Sequence, residues 1–232
     1  MLQATFLYHN VSLKIKANTP LYKPHLVIVI SGPSGSGKST VIDALCKADE
    51  TLQLSVSATT RKPRRGEVAG VDYHFLSKTE FEKSIRQDHF LEWAAYGDNF
   101  YGTPKSEIAD AREAGKDSIL EIEVKGSLEV RAQDLAPARS ILIFIVPPSF
   151  ATLEKRLRRR DTESESELKQ RLDIAKSEVR EIQHYDYWVS NPQGGVKQAV
   201  QQIRTIITAE RSRIDAKLIE TLNPLLGVDS EN

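Results

Sequence analysis

Short apolar runs alternate with amphipathic segments along most of this chain. The run at 26–30 (LVIVI) has five apolar residues, four of them β-branched, which is typical of a strand buried on both faces. After a glycine-rich turn, Val41 with Leu45 and Ile42 with Cys46 lie four positions apart, which predicts a helix. Further strands are predicted at 52–56, 119–124, 141–146 and 187–190.

Helical segments separate most of these strands. A strand–helix repeat of this kind predicts an α/β fold in three layers, with a central parallel sheet of about five strands between helices. The last long helix begins near Val196 and carries one apolar stripe. The stripe contains Val200, Ile203 and Ile207, and its spacing can be continued through Ile214, Leu218 and Leu222.

Two segments interrupt the repeat. Residues 61–103 are rich in turn formers and short alternating runs, which predicts a small inserted β-rich subdomain. Residues 153–171 are heavily charged and lie between two helical patterns. The predicted organisation is an extension at 1–24, a domain at 25–212 and a C-terminal helix and tail at 213–232. The core of the domain then consists of 25–60, 104–152 and 172–212.

Composition narrows the class of protein. The chain has 232 residues, 40% of them hydrophobic, and 32 basic residues balance 32 acidic ones. This excludes a disordered or collagen-like chain and argues against charge-driven binding to nucleic acid. The single cysteine fits a reducing compartment, and no apolar run approaches the roughly 20 residues that span a bilayer. We expect a cytoplasmic protein that binds neither membrane nor nucleic acid.

The turn after the first strand carries the strongest chemical signal. Its sequence GPSGSGKS, at 32–39, fits the pattern G-x-x-x-x-G-K-[ST] between a buried strand and a helix, which predicts a nucleoside triphosphate site. Lys38 would neutralise the β- and γ-phosphates, and the Ser39 hydroxyl would bind Mg²⁺. The predicted ATP-binding residues here are Gly32, Pro33, Ser34, Gly35, Ser36, Gly37, Lys38, Ser39 and Thr40.

A second phosphate site is predicted after the second strand. Arg61 and Arg64 lie in a basic turn, and arginine is well suited to bidentate phosphate contacts. Tyr73 and Tyr101 add phenolic donors. A basic loop that only faces solvent is the alternative interpretation.

Glu92 lies in an otherwise apolar segment, FLEWA. A carboxylate beside an apolar wall could accept hydrogen bonds from N1–H and the 2-amino group of guanine, whereas adenine offers no such pair of donors. Strict strand alternation predicts instead that Leu91 and Trp93 share one face and that Glu92 is simply the outward position of a half-exposed strand. The sequence leaves both interpretations open.

Motifs spread over residues 25–212 resemble guanylate kinases. They lie at 32–40, 57–73, 91–93, 99–103, 120–123 and 156–171, in this order and spacing. The resemblance implies a P-loop core with a GMP-binding subdomain and a helical lid. It also implies the reaction ATP + GMP ⇌ ADP + GDP, with dGMP as a further acceptor and Mg²⁺ accompanying ATP, the phosphoryl donor.

The resemblance also assigns roles to individual residues. Those near GMP are Ser57, Arg61, Arg64, Glu67, Tyr73, Glu92, Tyr101, Thr103 and Glu123. Among them, Arg61, Arg64, Tyr73 and Tyr101 would hold the phosphate, and Ser57, Glu92 and Thr103 would recognise the base. The catalytic residues would be Lys38 and the lid arginines Arg156, Arg160 and Arg171. Asn191 would lie near ATP, and Glu121 or Glu123 would support the metal.

Some positions depart from the family pattern. Glu123 replaces the usual Asp, Lys125 a common Gln, and Asp161 a common Gly, while Pro192 follows Asn191 without the usual acidic pair. Particular residues argue against two alternative functions. One is a related module that binds phosphorylated protein segments, which the intact P-loop and lid arginines argue against. The other is a kinase for another small phosphate, such as a ribose bisphosphate, which Glu92 and Thr103 argue against. A homo-oligomer formed through the last helix is left open.

Overall fold

The computed structural model describes residues 24–133, 135–136, 138–158 and 165–226. The described residues are divided between two compact units: residues 24–209 form one, and residues 210–226 belong to the other. The predicted extension, apart from Pro24, and the lid residue Arg160 lie outside the described residues.

Nine strands and eight α-helices follow one another along the described residues. They are β1 (Leu26–Ser31), α1 (Lys38–Ala48), β2 (Leu52–Leu54), β3 (Ala58–Thr59), β4 (His74–Phe75), α2 (Lys78–Arg86), β5 (Phe90–Tyr96), β6 (Asn99–Pro104), α3 (Lys105–Glu113), β7 (Asp117–Glu121), α4 (Val124–Arg131), β8 (Arg139–Val146), α5 (Phe150–Arg158), α6 (Glu165–Arg180), β9 (Tyr187–Ser190), α7 (Val196–Arg211) and α8 (Ala216–Leu226). A short 3₁₀ helix, Glu181–His184, precedes β9.

The central sheet has five strands in the order β2-β7-β1-β8-β9, and every neighbouring pair is parallel. The predicted α/β fold is therefore confirmed. Both faces of β1 are buried: Leu26, Ile28 and Ile30 pack in a core with α1 and α7, whereas Val27 and Val29 pack in a second core that contains Val130 of α4. This burial explains the unbroken apolar run of β1.

A second sheet of four strands has the order β4-β3-β6-β5. Its β5–β6 and β3–β6 pairs are antiparallel, while β3 and β4 are parallel. Helix α2 packs against this sheet through Phe81, whose ring stacks on that of Phe90 at a centroid distance of 4.3 Å. Ser77 and Glu80 form a capping box that starts α2. Strands β4 and β5, helix α2 and all but the last residue of β6 lie within residues 61–103, where an inserted subdomain is predicted, whereas β3 lies before that segment.

The C-terminal stripe does not belong to one helix. Helix α7 ends at Arg211, and α8 starts at Ala216. Ile214, which the spacing placed on the stripe, is 72% exposed. The Asp215 carboxylate accepts a hydrogen bond of 2.8 Å from the Leu218 N–H, which is the geometry of an N-cap. The continuation of the helix through Leu222 is therefore wrong, because a capping residue starts a new helix.

Two predicted strand boundaries also shift. The strand predicted at 52–56 ends at Leu54, and the strand predicted at 119–124 runs from Asp117 to Glu121. Among the residues that the structure describes, none of the helices has the length and apolar character needed to cross a membrane.

Candidate active site

Residues of both predicted phosphate sites line one cavity of about 680 Å³. Its lining combines the turn after β1, the end of β7 and the second sheet. Parallel strands end at the same edge of a sheet, which is where ligands of open α/β sheets bind. The predicted site residues in the lining are Gly32, Ser34, Gly35, Gly37, Lys38, Ser39, Thr40, Ser57, Arg64, Tyr73, Glu92, Tyr101 and Glu123.

The phosphate loop joins β1 to α1 through glycines that no other residue could replace. Gly32 has φ +142°, and a Cβ there would lie 2.3 Å from the carbonyl oxygen of Ile145. Gly37, the N-cap of α1, has φ +91°, and a Cβ there would lie 2.4 Å from Nδ2 of Asn191. These conformations form a tight turn that leads from β1 into the N-terminus of α1, an arrangement that binds phosphate.

Cationic side chains already contact the carbonyls of this loop. Lys38 Nζ donates to the carbonyls of Gly32 at 2.6 Å and Pro33 at 3.3 Å. Arg156 donates to the carbonyls of Ser36 at 3.1 Å and Asn191 at 2.9 Å. The Asn191 amide donates to Ser36 O at 2.9 Å. Asn191, which is predicted to lie near ATP, is therefore hydrogen-bonded to the phosphate loop.

Helix α6 contributes two side chains beside the phosphate loop. Arg171 donates to Ser34 Oγ at 2.5 Å, and Glu178 lines the same cavity. The two residues are seven positions apart, which is about two helical turns, so they share one face of α6. Burial raises the pKa of Glu178, and the nearby charge of Lys38 opposes that rise. Glu178 cannot be recognised from the sequence, because the charged residues around it are typical of a solvated helix face.

Ser39, the predicted Mg²⁺ ligand, contacts the carboxylate of Glu121. Ser39 Oγ donates to Oε1 of Glu121 at 2.7 Å, since β7 lies beside β1 and ends at the same edge. Of the two carboxylates that the sequence proposed for the metal, Glu121 is the one bonded to Ser39. Within the described ranges, no group of three or more His, Cys, Asp or Glu side chains could hold a metal. A hydroxyl and one carboxylate fit a Mg²⁺ that keeps most of its bonds to phosphates and water.

The basic turn is organised by an ion pair. Arg61 donates to both carboxylate oxygens of Glu67, at 3.0 and 2.8 Å, and Glu67 also accepts the Arg64 N–H at 2.7 Å. The Arg61 guanidinium lies 5.3 Å from the ring centre of Tyr73, whose ring is 6.2 Å from that of Tyr101. The hydrogen bond from Arg61 lowers the pKa of Glu67, and the same bond raises the pKa of Arg61.

Glu92 is buried, with 7% of its surface exposed. The pairing of β5 with β6 shifts register between Phe90 and Glu92. As a result Leu91 and Glu92 are both buried, whereas Trp93 is 40% exposed. The interpretation of Glu92 as an outward position of a half-exposed strand is therefore wrong, because the irregularity breaks the alternation.

The Glu92 carboxylate has one polar partner on the neighbouring strand. Thr103 Oγ1 donates to Oε1 of Glu92 at 2.6 Å, and Thr103 itself is fully buried. Burial raises the pKa of Glu92, and the hydrogen bond from Thr103 opposes that rise. Ser57 and Glu123 line the same cavity, and Glu123 is exposed at the start of α4. A desolvated acceptor thus lies across the cavity from the phosphate loop.

Comparison with known proteins gives one consistent result. The family model for guanylate kinase matches residues 25–210. A guanylate kinase from Halalkalibacterium halodurans is 46% identical over 204 residues, which cover 88% of this chain and 97% of that relative. A second, from Clostridioides difficile, is 44% identical over 192 residues, which cover 83% of this chain and 91% of that relative.

A solved structure extends the similarity to three dimensions. The crystal structure of guanylate kinase from Anaplasma phagocytophilum matches with a TM-score of 0.70 and 28% identity, covering 90% of this chain and all of that one. The family model alone spans well over half of the sequence. The chain therefore belongs to the guanylate kinase family.

Proposed function

We propose that this chain transfers the γ-phosphoryl group of ATP to GMP, and also to dGMP, in the cavity of about 680 Å³. The proposal rests on one observation: the phosphate loop and the buried residue Glu92 line the same cavity. This arrangement can hold two nucleotides with their phosphates toward each other. The names of its relatives state the same activity for those proteins.

Recognition of the guanine base depends on Glu92. Its ionised carboxylate accepts hydrogen bonds from N1–H and the 2-amino group of guanine, while the Thr103 hydroxyl keeps it oriented. An adenine base offers no matching pair of donors, and the buried carboxylate would be left unpaired at a cost of about 1–3 kcal/mol or more. The phosphate of GMP would bind Arg61, Arg64, Tyr73 and Tyr101, with Glu67 fixing Arg61.

Catalysis in this proposal is positioning and charge neutralisation. Phosphoryl transfer spreads negative charge over the equatorial oxygens, and cations that surround them stabilise the transition state. Lys38 is supplied by the phosphate loop, and Arg156 and Arg171 already contact its Ser36 and Ser34. Arg160 is the third predicted lid arginine. Closure around the substrates would exclude water and limit ATP hydrolysis.

The phosphoryl donor is proposed to bind as its magnesium complex. Ser39 and Glu121 would hold the ion, and Mg²⁺ would neutralise charge on the β- and γ-phosphates when bound. The Ser39–Glu121 hydrogen bond of 2.7 Å supports this assignment. A cytoplasmic location stays a prediction, and so does the absence of nucleic acid and membrane partners.

The test is an ADP-release assay with Mg-ATP and, in turn, GMP, dGMP, AMP, CMP and UMP. We expect turnover with GMP and dGMP alone. Turnover with a ribose bisphosphate but not with GMP would support a kinase for another small phosphate. A folded protein that binds ATP but turns over none of these acceptors would contradict the proposed function and favour a binding module.

A further inference from the structure

Gly126, the third residue of α4, lies directly against the Glu92 carboxylate. A Cβ built on Gly126 would lie 2.6 Å from Oε2 of Glu92, 3.2 Å from its Cδ and 3.6 Å from its Cγ. All three of the nearest atoms therefore belong to one side chain. Real Cβ atoms essentially never approach an oxygen to 2.6 Å, so alanine at this position would require movement.

The backbone does not require glycine at position 126. The residue lies inside a regular helix and is absent from the glycines with positive φ. Glycine inside a helix is less stable than alanine because it has more freedom to lose on folding. Its presence is explained by the neighbouring side chain.

Helix α4 cannot easily move away from β5. Near its C-terminal end, the side-chain amide of Gln133 donates to the carbonyl of Leu91, the residue before Glu92. Val130 of α4 and Leu91 also share a buried core. The helix is thus held to this strand beside the very carboxylate that Gly126 contacts.

The end of a flexible side chain yields more readily than packed backbone. An added methyl group at position 126 would therefore be accommodated by rotation of the Glu92 side chain, which breaks its 2.6 Å hydrogen bond with Thr103. The carboxylate would then leave the place from which it faces the cavity. The fold would stay intact while the acceptor is displaced.

We propose that Gly126 is a specificity-determining position, because its missing side chain provides the space that the Glu92 carboxylate occupies. Gly126 acts through Glu92 and is therefore a positioning residue. The inference rests on the proposed function, in which Glu92 recognises guanine. It predicts that the size of residue 126 controls both GMP affinity and discrimination between guanine and hypoxanthine, which lacks the 2-amino group.

The test is a double-mutant cycle with Gly126→Ala and Glu92→Ala, using GMP, IMP and ATP as the varied substrates. We expect Gly126→Ala to raise KM for GMP by at least about tenfold, the scale of a lost charge-assisted hydrogen bond. KM for ATP should stay within about twofold, and the preference for GMP over IMP should fall. In the Glu92→Ala background, Gly126→Ala should change KM for GMP by less than about twofold.

Lys125→Ala is the matched control, because Lys125 is exposed on the same turn of α4. Its KM for GMP should equal that of the parent protein. The melting temperature is a second measurement, which can be made even if Gly126→Ala folds poorly. Glu92→Ala should raise the melting temperature of the Gly126→Ala protein, because it removes the clash.

The outcomes distinguish the inference about Gly126 from the proposed role of Glu92 in guanine recognition. If Glu92→Ala raises KM for GMP but Gly126→Ala does not, the inference about Gly126 is overturned and the proposed function stands. If Glu92→Ala leaves KM for GMP unchanged, the base-recognition role of Glu92 itself fails. Equal losses from Gly126→Ala in both backgrounds would also overturn the inference.

Discussion

The phosphate loop and the part of the cavity around Glu92, called here the Glu92 pocket, carry side chains of opposite charge. At the loop, cationic side chains lie on backbone carbonyls, as Lys38 does with Gly32 at 2.6 Å. At the pocket, a carboxylate is buried with one hydroxyl partner, Thr103, and its pKa is raised by that burial. The loop uses backbone groups that every strand–helix turn has, whereas the pocket depends on an acceptor that is costly to bury.

This difference predicts which region selects the substrate. Backbone N–H groups and a lysine recognise any triphosphate, because they contact only oxygen and charge. A buried acceptor discriminates strongly, since a ligand that lacks the matching donors leaves it unpaired. We therefore expect changes at the loop to abolish turnover and changes at the pocket to alter substrate preference. Three substitutions test that division, beginning with the largest effect.

Lys38→Ala should reduce turnover by at least about 10³-fold, the scale of losing one positioned donor that stabilises transition-state charge. The fold should be retained, because Lys38 contacts loop carbonyls and lines the cavity. The measurement is kcat with Mg-ATP and GMP, together with circular dichroism. Lys47→Ala, an exposed lysine at the end of α1, is the control and should keep full activity. Unfolding of the Lys38→Ala protein would contradict the placement of Lys38 in the site.

Glu67→Gln should raise KM for GMP by about threefold to tenfold and leave kcat nearly unchanged, because a bidentate charged pair orients Arg61. Both partners are largely shielded, with side-chain exposures of 15% and 18%. Steady-state kinetics with GMP and ATP varied separately measure this effect, with the exposed Glu82→Gln as the control. A lower KM for GMP would show instead that Glu67 competes with the substrate phosphate for Arg61.

Glu92→Gln should weaken GMP binding and at the same time stabilise the fold. Burial raises the pKa of Glu92 in the folded state, so at pH values between the unfolded and the folded pKa the folded protein holds a proton that the unfolded chain releases. This contribution to stability is present below the pKa of the unfolded chain and is lost as pH rises through the raised folded value. Removing the charge should therefore raise the free energy of unfolding at pH 8 and change it little at pH 4.

Denaturant unfolding at both pH values measures this gain. The pKa of Glu178 is also raised, but Glu178 is present in both proteins and its contribution cancels in the difference. A gain of equal size at pH 4 and pH 8, or a loss at pH 8, would show that the buried charge of Glu92 does not cost stability.

Local patterns predicted the framework of the fold well. The apolar run of β1 predicts a strand buried on both faces, and the structure confirms it. The pattern failed where one contact overrides periodicity. Asp215 caps α8 and ends the stripe, and the register shift in β5 turns Glu92 inward. Spacing alone carries no information about either event, because each depends on one hydrogen bond or one irregularity in strand pairing.

The candidate site also combines features that the sequence predicts with features that it does not predict. The phosphate loop is local: its glycines, lysine and serine lie within eight consecutive residues, at 32–39, and their chemistry can be deduced from spacing. The Ser39–Glu121 bond joins residues 82 positions apart, and Arg171 donates to Ser34 from a distant helix. Such pairs become visible only when the sheet order places their strand ends and helices together.

The amino-acid sequence by itself determined the class of fold, the phosphate loop and the family resemblance. Each of these follows from residue type and short-range spacing, because hydrogen bonding in helices and turns is local. Tertiary structure decided that Glu92 is buried, that Glu121 is the carboxylate beside Ser39, and that Gly126 leaves room for Glu92. Desolvation and close packing depend on which distant atoms surround a group, and these neighbours are set by the packing of the whole domain.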